Sequence, residues 1–283
     1  MQTLKVFALM TGLTLLLVGT GSYFGGANGA VIMFVFAAAM NLGSYWFSDR
    51  IVLRMYRAQI VDRVKEPDLY GMVERLAGRA GVPMPKVAIA SSEQPNAFAT
   101  GRSPEKGVVC FTKGILKLLP IDELEGVTAH ELAHIKHRHM LVGAIAATLA
   151  GMIMMLSRFA MFFGGGRNRQ NNNPVALIAL MILAPVAAMI VQMAISRQNE
   201  YQADRSGARI AGRPSGLANA LRRMDAYAKQ IPMDVNPAAA ALAIVNPLSG
   251  RRSLGAMRFF STHPPTEERI ARLEALSHSD TVR

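Results

Sequence analysis

Cysteine is nearly absent. The 283-residue chain has one, Cys110, which excludes an intramolecular disulfide and fits a reducing cytoplasm. Acidic residues are scarce as well, with 19 Asp and Glu against 31 Lys and Arg, for a net charge of +12. Such an excess would suit a nucleic-acid partner, but no basic patch is interleaved with aromatics, so nucleic acid is not expected. The cations gather instead at the ends of apolar runs, where attraction to anionic lipid head groups accounts for them. No repeat of solenoid period occurs, and residues 21–29 carry no charge at all. What the chain has in abundance is apolar: 51% of it is hydrophobic and the mean hydropathy is +0.23.

That apolar content is clustered. Four runs approach the ~20 residues that a bilayer crossing takes: 6–23, 30–47, 141–163 and 174–195. Arg158 interrupts the third close to one end, where it can snorkel to the interface, and Pro185 is expected to kink the fourth. Lys5 ahead of a short apolar core would also fit a cleaved signal peptide, but a second run follows almost at once. Arg50, Arg54, Arg57, Arg63 and Lys65 follow the second run and Lys5 precedes the first. The positive-inside rule therefore places both termini and the His130 region in the cytoplasm, while Arg167 and Arg169 in the polar loop 164–173 argue the other way. The expected organisation is a transmembrane hairpin over 1–50, a second over 141–195, and a cytoplasmic domain built from 51–140 and 196–283.

The chemistry centres on Thr128-Ala-His-Glu-Leu-Ala-His134. Four residues of helix advance about 400° and ~6 Å, so His130 and His134 stand one above the other and can reach one zinc ion. Glu131 is then placed to polarise a zinc-bound water. An exposed polar helix carrying the pattern by accident is the bland alternative, and the rest of the chain weighs against it.

Around the motif the pattern predicts a helix over 66–81, ended by Gly81, with Leu69, Met72, Val73, Leu76 and Ala77 as its apolar face. Strands are expected over 86–90, 96–100 and 107–111, with 102–106 as a hairpin turn, making a small antiparallel sheet. Asp122 is the expected N-cap of the motif helix, with Glu125 completing a capping box after Pro120. No breaker occurs before Met140, so this helix is expected to run straight into the third apolar run. A helix over 217–229, an irregular connector over 231–260 and a last helix from Pro264-Pro265 to about Ser277 complete the reading.

A catalytic zinc takes three protein ligands and keeps a position open. The metzincin arrangement fails, because His137 stands where glycine is needed and Met140 where the last histidine belongs. A zinc between His130 and His134 would lie ~7–8 Å along the axis from residue 137, too far for a ~2 Å bond, so residues 136–139 read as a juxtamembrane polar collar. Glu200 and Asp204 share a helix face, so one can bind metal while the other supports it. Glu200 is the better candidate, with Asp204 accepting a hydrogen bond from a ligand histidine. Gly207, Ala208 and Ala211 on that face, and Ala129 and Ala133 on the motif helix, would permit a close approach.

The combination of His130-Glu-Leu-Ala-His134, Glu200-Tyr-Gln-Ala-Asp204, Asn96-Ala-Phe-Ala-Thr-Gly101 and Ser261-Thr-His-Pro-Pro265 with Arg269 resembles the HtpX heat-shock membrane metalloproteases. These are relatives of the type 1 CaaX prenyl endopeptidases, and the resemblance covers essentially the whole chain. It implies a mainly α integral membrane protein of four transmembrane helices with a cytoplasmic α+β zincin-like (gluzincin) domain. It also implies a stress-response endopeptidase of the bacterial inner membrane that binds one zinc ion and degrades misfolded or damaged membrane proteins. His130, His134 and Glu200 are the implied ligands, Glu131 the implied base, Asp204 the implied support, and His263 and Arg269 the implied neighbours of the site.

On this reading Glu131 takes a proton from the zinc-bound water and returns it to the leaving amine, and His263, with Tyr201 nearby, stabilises the oxyanion. Residues 96–100 form the candidate edge strand for an extended substrate, through Asn96, Ala97 and Phe98; a purely structural strand competes with this. Two alternatives stay open: a CaaX-type prenyl-peptide protease, for which four spans are few, and a non-catalytic membrane scaffold with a structural zinc. No feature of the sequence specifies an oligomer.

Overall fold

Residues 108–112 alternate their side chains between two faces of a strand, and both faces are apolar, which requires cover on both sides. In the computed structural model, which describes residues 2–146, 148–149, 197–230, 242–244 and 264–280, that cover comes from two different bodies. Val109 and Phe111 face a helical core, whereas Val108 and Cys110 face the N-terminal hairpin.

The hairpin is α1 (Gln2–Met55), broken at Gly26, where a φ of 59° with ψ −146° admits glycine and disfavours any residue with a Cβ. Its two arms, Val6–Tyr23 and Gly25–Met55, are long and apolar enough to cross a membrane. Large apolar side chains such as Leu15, Ile32, Phe34 and Val35 are exposed along them, as a lipid-facing surface requires. Near the end of the second arm Trp46 stacks under the Arg102 guanidinium at 4.5 Å, an aromatic of the kind that collects at a membrane interface. The expected third and fourth spans fall outside the described residues, apart from 141–146 and 148–149.

After α1 come β1 (Ala58–Val61), α2 (Pro67–Ala80), β2 (Lys86–Ala90), β3 (Ala97–Thr100) and β4 (Val108–Thr112). α2 ends at Gly81 in the left-handed region, as its sequence predicts. The sheet runs β1-β2-β4-β3, and it is mixed rather than antiparallel: β2 pairs parallel with β4, while the β1–β2 and β3–β4 pairs are antiparallel. The reason lies in residues 91–96, which cross the end of β4 instead of turning back beside β2. That crossover rests on Gly114, where an added Cβ would meet the Glu93 carbonyl at 2.0 Å. The hairpin joining β3 to β4 forms as expected, around a short 3-10 turn at Pro104–Lys106. β1 was not expected from the sequence; its burial is only partial.

α3 (Lys113–Leu118), capped by Thr112, leads into the motif helix α4 (Ile121–Lys136). The expected capping box does not form. Pro120 is the N-cap, with extended backbone, and Asp122 sits inside the first turn. Glu125 pairs instead with Arg75 and, at 3.5 Å, with Arg213. Nor does α4 continue into the next apolar run. It stops at Lys136, Arg138 takes a φ of 58°, and helix resumes only over 139–146.

α4 is buried nearly all round, between β3, α2 and the helices α5 (Arg197–Ala211) and α6 (Pro214–Gln230). The last helix, α7 (Thr266–Asp280), packs on α5 and α6. α4 and α5 touch at their backbones: a Cβ on Gly207 would lie 2.9 Å from both Cα and N of His130. The small residues seen in the sequence serve this approach. Gly207→Ala is therefore expected to push α5 off α4, costing about 1–3 kcal/mol of stability and weakening metal binding together, as thermal melts and a metal titration on the same preparation would report.

Candidate metal centre

The close approach of α4 and α5 sets two histidines against a carboxylate. His130 and His134 point their Nε2 atoms together, 3.0 Å apart. Glu200 on α5 brings Oε1 to 3.4 Å from His134 Nε2 and Oε2 to 3.8 Å from His130 Nε2. All three ligand atoms fall within 4.8 Å of one another. A tetrahedral ion with bonds of ~2.0–2.1 Å holds its ligands roughly 3.3 Å apart, which this spacing matches. Two imidazoles and one carboxylate leave a fourth position open.

Charge makes the same point. Among the described residues, three buried carboxylates, Glu131, Glu200 and Asp204, surround one buried guanidinium, Arg269, at 1–4% exposure. Three negative charges against one positive leave an excess of two, which a divalent cation neutralises. A buried site without that neutralisation must shed charge by taking up protons. Accordingly burial pushes the Glu131 carboxyl up to about 7, against the opposing pull of His130.

The surrounding groups orient the ligands. His130 Nδ1 lies 3.0 Å from Asp204 Oδ1. Burial alone would lower the basicity of this imidazole, but the Asp204 contact outweighs it and the net shift is upward. The same contact keeps a proton on Nδ1 and leaves Nε2 as an electron-pair donor. Arg269 holds Asp204 in turn, donating from Nε at 2.9 Å and from Nη2 at 2.7 Å, and its Nη1 donates to the Ile244 carbonyl at 2.9 Å. At His134 the balance differs: burial lowers the basicity of the imidazole well below the ordinary value, and the nearby Glu200 carboxylate does not offset it.

Glu131 faces β3, and its carboxylate accepts the backbone N–H of Ala99. The β3–β4 register pairs Phe98 with Cys110 and Thr100 with Val108, with Asn96 and Thr112 exchanging bonds beyond them. Ala97 and Ala99 therefore turn their backbone groups to the outer edge of β3, with which no other described strand pairs. Of the three residues expected to meet substrate, Ala97 is on this edge. The Asn96 side chain is engaged with the 242–244 segment, its Nδ2 donating to the Leu242 carbonyl at 3.2 Å and its Oδ1 accepting from Ile244 N at 3.1 Å. Phe98 points to the other face, against Tyr56. Tyr201 is held by Glu268 beneath the Arg272 guanidinium, and His263 lies outside the described residues.

His130, Glu131, His134, Glu200, Asp204 and Arg269 are thus brought together as the sequence pattern requires. Sequence reasoning missed three contributors: the Ala99 backbone, the Ile244 carbonyl, and His139, whose Nδ1 is 3.3 Å from His134 Nδ1. Backbone groups leave no residue-type signal, and His139 is displaced from the motif stripe until the chain breaks at Arg138.

A two-histidine, one-glutamate centre with a second glutamate beside it, on a helix packed against a small mixed sheet, defines a zincin-like metalloprotease. The comparisons agree. The model of peptidase family M48 matches residues 63–277. A protein named "Protease HtpX homolog" from Gemmatimonas aurantiaca is 55% identical over 278 residues, covering 98% of this chain and 100% of its own length. Namesakes from Salinibacter ruber and Pelotomaculum thermopropionicum are 55% and 50% identical, each over 98% of this chain and 99% or 100% of their own. Among solved structures, S. mikatae Ste24p matches with a TM-score of 0.50 at 19% identity, over 96% of this chain and 64% of its own; that likeness concerns the fold. The chain belongs to peptidase family M48, as a membrane metalloprotease of the HtpX type.

The shifted Glu131 gives a stability test. Its folded value lies above its unfolded one, so the stability it contributes is present below about pH 4.5 and is lost as pH rises towards about 7. Glu131→Gln should therefore stabilise the metal-free protein at pH 7 by on the order of 1–3 kcal/mol and not at pH 4.5, as melts in chelator at both pH values would read.

Proposed function

We propose that one zinc ion binds His130, His134 and Glu200, and that the enzyme hydrolyses peptide bonds of misfolded or damaged membrane proteins at the cytoplasmic face of a bacterial inner membrane. The observation that carries this is the excess of two negative charges among the described buried residues of the centre, with Glu131 beside its open position. A bound zinc would supply Lewis acidity there, polarising the scissile carbonyl and lowering the pKa of water towards ~7.

The chain's own groups do the rest. Glu131 takes the proton from the attacking water and returns it to the departing amine, while the Ala99 N–H holds its carboxylate in place. An extended substrate pairs with the free edge of β3 through the backbone of Ala97, which aligns a strand of peptide across the site. His263 is assigned to the oxyanion. Asp204 and Arg269 keep His130 oriented.

The membrane arrangement follows from charge. The uncharged bend around 21–29 lies on the face opposite the cytoplasm, Arg50, Arg54 and Arg57 lie on the cytoplasmic side, and 141–163 with 174–195 form a second hairpin. Peptide substrates embedded in or released from the bilayer then meet a site that the sheet joins directly to the first hairpin.

Three experiments test this. Glu131→Gln should keep zinc and lose cleavage of an unfolded membrane substrate by roughly 100-fold or more, the range of general acid–base catalysis; full cleavage by the zinc-loaded variant would overturn the role. Glu200→Gln should lower zinc stoichiometry in the purified protein. For topology, Cys110 is a silent background, because it is buried and its thiol is pushed up to about 12. Asn28→Cys should react with a membrane-impermeant maleimide in intact spheroplasts and Lys65→Cys should not; the reverse pattern would invert the orientation.

A further inference from the structure

Each ligand histidine has a second ring nitrogen, and what holds that nitrogen decides which tautomer faces the metal. At His130 the holder is Asp204. At His134 it is another imidazole. His139 is 6% exposed, its Nδ1 stands 3.3 Å from His134 Nδ1, and the two rings lie 5.3 Å apart at 69°.

A continuous helix would not deliver this contact. Five residues of helix turn about 500°, which leaves residue 139 some 140° away from the face that carries residue 134. The break supplies it. α4 stops at Lys136, Arg138 adopts φ 58°, and the chain restarts at His139 with its ring laid back on His134. The break is itself held: His137 Nε2 is 2.9 Å from Ser206 Oγ on α5, and the His137 ring stacks on His139 at 5.5 Å and 26°.

We infer that His139 is a positioning residue of the metal centre: its Nδ1 accepts the Nδ1–H of His134, fixing the tautomer and ring angle that present His134 Nε2 to the ion. The inference rests on His130, His134 and Glu200 being the ligand set. A neutral imidazole in this place has a consequence that a carboxylate would not. It supports the second ligand without adding charge, so the excess of two negative charges is preserved.

The test uses the full chain in detergent, with Zn2+ titrated against a competing chelator and the metal-free protein melted in parallel. His139→Leu fills the space and removes the acceptor; it is expected to weaken zinc binding 10–100-fold while the metal-free melting temperature stays put. His139→Asn places an amide oxygen where Nδ1 stands, and is expected to restore affinity close to that of the unmodified protein. Leucine binding zinc as tightly as histidine, or asparagine as weakly as leucine, would overturn the inference. Where the leucine variant does not fold, the asparagine variant decides alone: a loss beyond about tenfold overturns it. A parent protein that takes up no zinc sinks the ligand set and the inference with it, whereas a zinc-binding parent with an unaffected leucine variant sinks the inference alone.

Discussion

The backbone contact between α4 and α5 is the constraint on which the working part of this protein depends. Gly207 lies so close to His130 that no side chain fits between them. Only that approach lets a carboxylate from residue 200 come within reach of two imidazoles from residues 130 and 134. The approach also concentrates charge, setting Glu131, Glu200 and Asp204 around Arg269, all four buried. Close packing creates the electrostatic need that a divalent cation meets, so the metal and the helix pair are parts of one energetic arrangement.

The sheet has a different duty. Its strands are covered on one face by α2 and α4 and on the other by the α1 hairpin, so the motif helix is one strand layer away from the apolar helices. β3 is the pivot. Its Phe98 packs toward the hairpin, its Ala99 backbone holds Glu131, and the Asn96 side chain beside it grips residues 242–244, which Arg269 also holds. A shift of β3 would be felt at Glu131, at Asp204 and at the N-terminal hairpin together.

Much of the site was legible because periodicity and chemistry coincide there. The four-residue spacing of His130 and His134, repeated at Glu200 and Asp204, needs only the geometry of a helix to be read. The glycine at position 207 and the alanines facing it were legible for the same reason. Where local signals were read alone, they misled. Asp122 and Glu125 have the spacing of a capping box, yet Arg75 and Arg213 draw Glu125 elsewhere. Strands 86–90, 96–100 and 107–111 look like a meander, yet the crossover over Gly114 makes the middle of the sheet parallel.

The sequence by itself determined the metal-binding residue types, the glutamate beside them and the apolar N-terminal hairpin, because each is written in residue type and spacing along one element. Tertiary structure decided what lies between elements. It chose the partner of each ligand's second nitrogen, the strand edge that meets Glu131, and the break at Arg138 that returns His139 to the centre. Those contacts join residues that no local period relates. A left-handed backbone at an arginine, in particular, is imposed by packing rather than by any preference of the residue itself.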